Sequence, residues 1–190
     1  FSRNILILED PVETLNLAPP RTPLKRPNPR DWKIYDHAYN LDAVGNYFVY
    51  RNNHLHDGRR FGAFIKASYG LIENNRFERL SDCALQIQNE PDWPEGFWAR
   101  NLVIRNNRIV DCAFLNKRVP VNIDWSRLGH KSAGFAYQED IFFENNTIRA
   151  VSGPCAEFNC IDGLRLSGNV FQGGVGDPQP VIGGNVTLME

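Results

Sequence analysis

Six carboxylates carry most of the chemistry this sequence offers: Glu90, Asp92, Glu95, Asp124, Glu157 and Asp162. A pair of such groups cleaves a glycosidic bond when one protonates the leaving oxygen and the other activates water or attacks the sugar directly. Glu90, Glu95, Asp124 and Asp162 are the candidates for those two tasks. Lys66, Gln88, Asn122 and Asn159, with Glu157 at their margin, suit hydroxyl-rich ligands, because an amide both donates and accepts. Trp93, Trp98 and Trp125, joined by Phe135 and Tyr137, supply flat apolar faces with polar edges; these either pack on sugar rings or pin their own loops. Arg60, next to Arg59, either clamps an anionic sugar or bonds turn carbonyls.

Residues so far apart share a face only if something periodic gathers them. The segment 101–109 (Asn-Leu-Val-Ile-Arg-Asn-Asn-Arg-Ile) alternates apolar side chains into an Asn-Asn pair, and the stretches 48–55, 71–77, 141–148 and 164–171 read alike. The second Asn of each unit falls at 53, 75, 107, 146 and 169, in steps of 22, 32, 39 and 23. A base period near 22 with two enlarged steps is the pattern of a repeat array with two loop insertions. The two-residue alternation within each unit selects strands, hence an all-β solenoid: a parallel β-helix of about five rungs over residues 46–190.

Stacking the units fixes which residues meet. Tyr50, Ile72, Ile104, Phe143 and Leu166 point inward, which leaves Val49, Leu71, Val103 and Phe142 as an outward apolar column. Such a column calls for a cover: residues 1–45, a Pro-rich arm or linker, or else a loop, a further domain or a partner chain. Arg51, Glu73, Arg105 and Glu144 form an outward ladder of alternating sign. The second Asn of each pair is expected at a turn, in left-handed backbone, with its amide bonded to the rungs above and below.

A second strand follows in each rung, with Leu85 and Ile87 inward and Gln86 and Gln88 outward. Either Val119–Ile123 or Cys112–Leu115 fills that slot in the third rung. The outward stripe then reads Lys66, Gln88, Asn122 and Asn159, with Glu90 and Asp124 beside it, and the two insertions flank it. At about 4.8 Å per rung, Glu90 with Asp124 has the spacing of a retaining pair and Glu90 with Glu157 that of an inverting one.

Net charge is near zero (21 basic, 22 acidic), which speaks against a nucleic-acid partner, and no apolar run reaches the ~20 residues of a membrane span. Cys83, Cys112, Cys155 and Cys160 read as small core residues, with Cys155 and Cys160 the one local disulfide candidate, and their spacing does not suit zinc. His54-Leu55-His56-Asp57 has the look of a metal fragment but reads as a turn.

The run from Arg59 to Asn75, the Trp93-Pro94-Glu95-Gly96 loop and the strand Asn101–Asn107 together resemble bacterial right-handed parallel β-helix proteins. Among these they are most similar to glycoside hydrolase family 110, the α-galactosidases. The resemblance implies inverting hydrolysis of terminal α-galactosides by acidic side chains, without metal or other cofactor. The expected protein is thus secreted or periplasmic, acts on an oligosaccharide or polysaccharide, and is a glycoside hydrolase. A non-catalytic glycan-binding or structural solenoid and a polyuronate lyase are the alternatives.

Overall fold

The computed structural model describes residues 39–40, 42–89, 96–115, 118–125 and 138–190, apart from the side chains of Asn89 and Trp125. Among them every regular element is a short strand. The first coil holds β1 (Val49–Arg51), β2 (His54–His56) and β3 (Ala63–Ile65), and the second β4 (Gly70–Glu73), β5 (Arg76–Glu78) and β6 (Leu85–Asn89). The third holds β7 (Arg100–Arg105), β8 (Arg108–Cys112) and β9 (Val121–Trp125), and the fourth β10 (Gln138–Glu144), β11 (Thr147–Ser152) and β12 (Ala156–Phe158). β13 (Ile161–Ser167), β14 (Val170–Val175) and β15 (Val181–Ile182) complete the fifth, and β16 (Val186–Leu188) opens a sixth. Like-numbered positions stack into three parallel sheets, ordered β1-β4-β7-β10-β13-β16, β2-β5-β8-β11-β14 and β3-β6-β9-β12-β15. A rung therefore has three strands, not two: the residues after each Asn pair, expected as a turn, form a sheet of their own.

The core is a set of stacked columns. Tyr50, Ile72, Ile104, Phe143 and Leu166 lie in one file on the first sheet, Leu55, Phe77, Ile109, Ile148 and Phe171 in one on the second, and Ile65, Ile87, Ile123 and Phe158 in one on the third. The middle members are fully buried. Val121–Trp125 takes the third-sheet slot of the third rung, while Cys112 ends β8. Val49, Leu71, Val103 and Phe142 do form one outward file; Val49 is exposed and the others half-buried. Residues 1–38, most of the Pro-rich arm, lie outside the described set.

Between the first and second sheets runs an asparagine ladder. Each side-chain amide donates to the carboxamide oxygen of the next, Asn53 to Asn75, Asn75 to Asn107, Asn107 to Asn146 (3.0 Å each) and Asn146 to Asn169 (3.1 Å). The same oxygens accept the backbone N–H one rung back, and the inner amides also donate to the carbonyls of Tyr50, Ile72, Ile104 and Phe143. The left-handed residue is the first of each pair, not the second: Asn52 (φ 57), Asn74 (φ 54), Asn106 (φ 55), Asn145 (φ 52) and, in the fifth rung, Gly168 (φ 62). One residue bends the chain and its neighbour is thereby turned inward to bond.

The charge ladder is in register, and Glu73 receives Arg105 at 2.9 Å. A second ladder lines the C-terminal edge of the second sheet, where Arg79 is bidentate on Asp57 (2.6 and 2.7 Å) and Arg149 on Asp111 (3.1 and 2.5 Å). His54 and His56 sit on β2, not in a turn, bonded to Glu78 (3.0 Å) and Asp57 (2.8 Å).

All four cysteines are buried free thiols, so Cys155 and Cys160 are not a disulfide. Burial pushes the thiol of Cys83 up to about 12 and that of Cys112 to about 11. A thiol is nucleophilic as the thiolate. The native protein is therefore expected to resist a disulfide-exchange reagent at pH 8, with four equivalents released in guanidinium; fast labelling of the native chain would contradict this burial.

Candidate functional site

Both insertions leave the coil from the ends of third-sheet strands, after β6 and after β9, and return to the first sheet. The outer face of that third sheet carries two files. Phe64, Gln86, Asn122 and Glu157 form one. In the other Gln88 stands opposite Asp124, and Asn159, whose N–H bonds the Ile123 carbonyl, follows. Continuing the β3–β6 register puts Lys66 beside Gln88, with its ammonium 4.8 Å from the Phe64 ring centre. The expected stripe is therefore out of register by two: Asn122 faces Gln86, and Asp124 takes the place beside Gln88. Nor are Gln86 and Gln88 an open amide bed, since they are only 0% and 9% exposed. The Gln86 amide N–H donates to the Gln88 carboxamide oxygen, while the Gln86 oxygen has no partner. A buried acceptor left so costs about 1–3 kcal/mol.

The shift in register brings Asp124 and Glu157 together. Both point outward on adjacent strands, two positions apart along the strand, so strand spacing and rise put their Cα atoms about 8 Å apart. Glu157 is half-buried, and burial first, then the negative charge of Asp124, raises its carboxyl pKa. Asp124 is well anchored. The Cys160 thiol lies 3.5 Å from Oδ1, and Gln138 donates to the Asp124 carbonyl at 3.2 Å while accepting the Ala99 N–H at 2.7 Å. Asn185 in turn holds Cys160, donating to Sγ at 2.9 Å and accepting its N–H at 3.1 Å. The repeat pattern assigned no role to Gln138 or Asn185, because Gln138 opens β10 ahead of the repeated alternation and Asn185 lies in the turn before β16.

Other expected site residues scatter. Asp162 lies on the first sheet, opposite Glu139, exposed and accepting the Thr187 hydroxyl at 2.5 Å. It does not join Asp124 and Glu157 on the third. Glu90, Asp92, Trp93, Glu95, Phe135 and Tyr137 lie outside the described residues. Trp98 sits where the first insertion rejoins the coil, its ring 3.7 Å from that of Phe97 and its carbonyl accepting from Ser68. Trp125 ends β9, opposite Asn89. Arg60 lies in the turn that precedes β3, its guanidinium 5.9 Å from the Phe61 ring centre.

An open groove of about 800 Å³ lies elsewhere, over the C-terminal part of the second sheet, lined by Asp57, Arg79, Asp111, Phe114, Arg149 and Val151. Its size does not make it the reaction site, because its acids are neutralised by bidentate arginines. Among the described residues no group of three or more His, Cys, Asp or Glu is gathered as a metal site.

The sequence profile described as the right handed beta helix region matches residues 33–152, more than half of the chain. No curated protein and no solved structure matches it.

Proposed function

Because the chain belongs to the right-handed β-helix family, whose members include glycosidases and lyases, we propose that it is a glycoside hydrolase working on the outer face of its third sheet. The observation that supports this reading is the placing of Asp124 diagonally beside a Glu157 whose carboxyl pKa is raised by burial and by the Asp124 charge. Environments that separate the proton affinities of two neighbouring carboxyls assign them different tasks. Glu157 is the general acid that protonates the glycosidic oxygen. Asp124, fixed by Cys160 and Gln138, is the base that takes a proton from water as the water attacks the anomeric carbon. The diagonal spacing suits the about 6.5–9.5 Å carboxyl separation of inverting enzymes, in which a water fits between the two. The sequence resemblance makes terminal α-galactosides the first substrates to try.

The test is a panel of aryl glycosides and glycans incubated with the chain, with the product anomer read by proton NMR. Release of the opposite anomer is expected, unchanged by dialysis against EDTA. An unsaturated product absorbing in the ultraviolet would turn the reading to a lyase, and binding without any turnover would turn it to a non-catalytic module. Activity is expected to fall as pH rises through the raised pKa of Glu157, since the acid must carry its proton at the start of the step; a rate still rising across that limb would remove Glu157 from the role.

A further inference from the structure

We propose that the corner between the third and first sheets carries a saccharide platform made of Tyr47 and Tyr69, which takes a neutral pyranose unit of the glycan. The inference rests on the carbohydrate reading above but not on hydrolysis.

Five residues stack down this corner in left-handed backbone: Tyr47 (φ 59), Tyr69 (φ 54), Asn101 (φ 52), Asp140 (φ 51) and Gly163 (φ 80). Their register follows from the ladder, in which Tyr47 N–H bonds the Ser68 carbonyl and Tyr69 N–H the Arg100 carbonyl. The lower rungs use Asn, Asp and Gly, the residue types that tolerate this conformation. Tyrosine does not, so the turn alone gives no reason for it in the first two rungs. Strained backbone of this kind concentrates at binding sites.

What the two tyrosines gain is an arrangement of rings. They lie nearly parallel, with centroids 5.1 Å apart and 18° between planes, yet Tyr47 remains 80% exposed. A flat aromatic face left open to water is the surface on which the C–H face of a pyranose packs. Around it is a cavity of about 390 Å³, lined by Asp42, Asn46, Tyr47, Tyr69, Phe97 and Arg100, within the usual range for small ligands. Arg100 is held by the Phe97 ring at 5.5 Å and by Glu139 at 3.9 Å. A carboxylate, a guanidinium and an amide together serve hydroxyl groups as both donors and acceptors. The Asp42 carboxylate disfavours a ligand that carries its own negative charge, so the fit is to a neutral sugar. The platform spans the first two rungs and the acids the third and fourth, an offset of two rungs, on the order of 10 Å.

The test uses the full chain carrying Asp124→Asn, so that turnover does not interfere. Methyl glycosides of galactose, glucose and mannose are titrated in, with the methyl glycoside of galacturonic acid as the anionic control, followed by saturation-transfer NMR and calorimetry. A neutral glycoside is expected to bind and the uronide not. Tyr47→Ala should weaken binding about tenfold. Tyr47→Asn, which suits the left-handed backbone, should lose binding while the melting temperature holds or rises. Binding indifferent to Tyr47→Ala and Tyr69→Ala, or absent for every neutral glycoside, overturns the platform. Tyr47-independent binding alongside hydrolysis by the unsubstituted chain sinks the platform and leaves the hydrolase standing. Tyr47-dependent binding without any turnover does the reverse.

Discussion

Glu157→Gln is expected to lower kcat on a glycoside with a poor leaving group by about 10²–10⁴-fold, the usual worth of a positioned general acid. Glutamine keeps the size and burial of the side chain but has no proton to give. A leaving group that needs no protonation, such as a dinitrophenolate, should largely escape the loss, whereas Asp124→Asn should impair both substrates alike. Stability moves the other way. Burial and Asp124 raise the folded-state pKa of Glu157 above its unfolded value. The protonated form thus favours folding below the unfolded pKa, and that contribution is lost as pH rises through the folded pKa. Above both values the native state holds a carboxylate it disfavours. Glu157→Gln should therefore be more stable than the parent at pH 8, with the difference gone near pH 3. Equal loss on both leaving groups, or a variant less stable at pH 8, would remove Glu157 from the role of acid.

Asn107→Ala is expected to cost about 3–5 kcal/mol of stability, a large part of the roughly 5–15 kcal/mol of a typical domain. Asn107 is buried and lies at the middle of the ladder. Its amide donates to the Ile72 carbonyl (2.9 Å) and to Asn146 (3.0 Å), and its oxygen accepts both the backbone and the side-chain N–H of Asn75. Alanine takes the side-chain partner from the Ile72 carbonyl and the Asn75 backbone N–H and leaves the Asn75 amide with the Tyr50 carbonyl alone, in a core that admits no replacement. Asn107→Asp should be worse, because a buried carboxylate would face the Ile72 and Asn146 oxygens. Asn53→Ala, at the half-buried start of the same ladder, serves as the mild comparison, its own amide having only Arg51 and Asn75 to bond. Guanidinium unfolding of the three variants decides the matter: if Asn107→Ala costs no more than Asn53→Ala, the ladder is not a cooperative element.

The coil was legible because its signal repeats. Alternating apolar residues before each Asn pair determine which side chains turn inward, and a slip by one residue would bury Arg105 or Glu144 in place of Ile104 or Phe143. The sign alternation of Arg51, Glu73, Arg105 and Glu144 carries the same information. The second strand of each rung was less visible, because β2 and β5 are only three residues long and follow the ladder with no turn signal of their own.

What the sequence by itself determined is thus the parallel coil, its period, its inward file and the asparagine ladder, all set by local alternation that recurs. Tertiary structure decided which outward residues meet. A slip of two keeps every side chain on its own face, so no rule of polarity tells Gln88 beside Asn122 from Gln88 beside Asp124. The turns of differing length between sheets resolve it, and with that choice Asp124 and Glu157 become neighbours while Asp162 passes to another sheet. The partners that fix Asp124 are Cys160, in the bend between β12 and β13, and Gln138, at the start of β10 ahead of the repeated alternation, and only the packed chain brings them together.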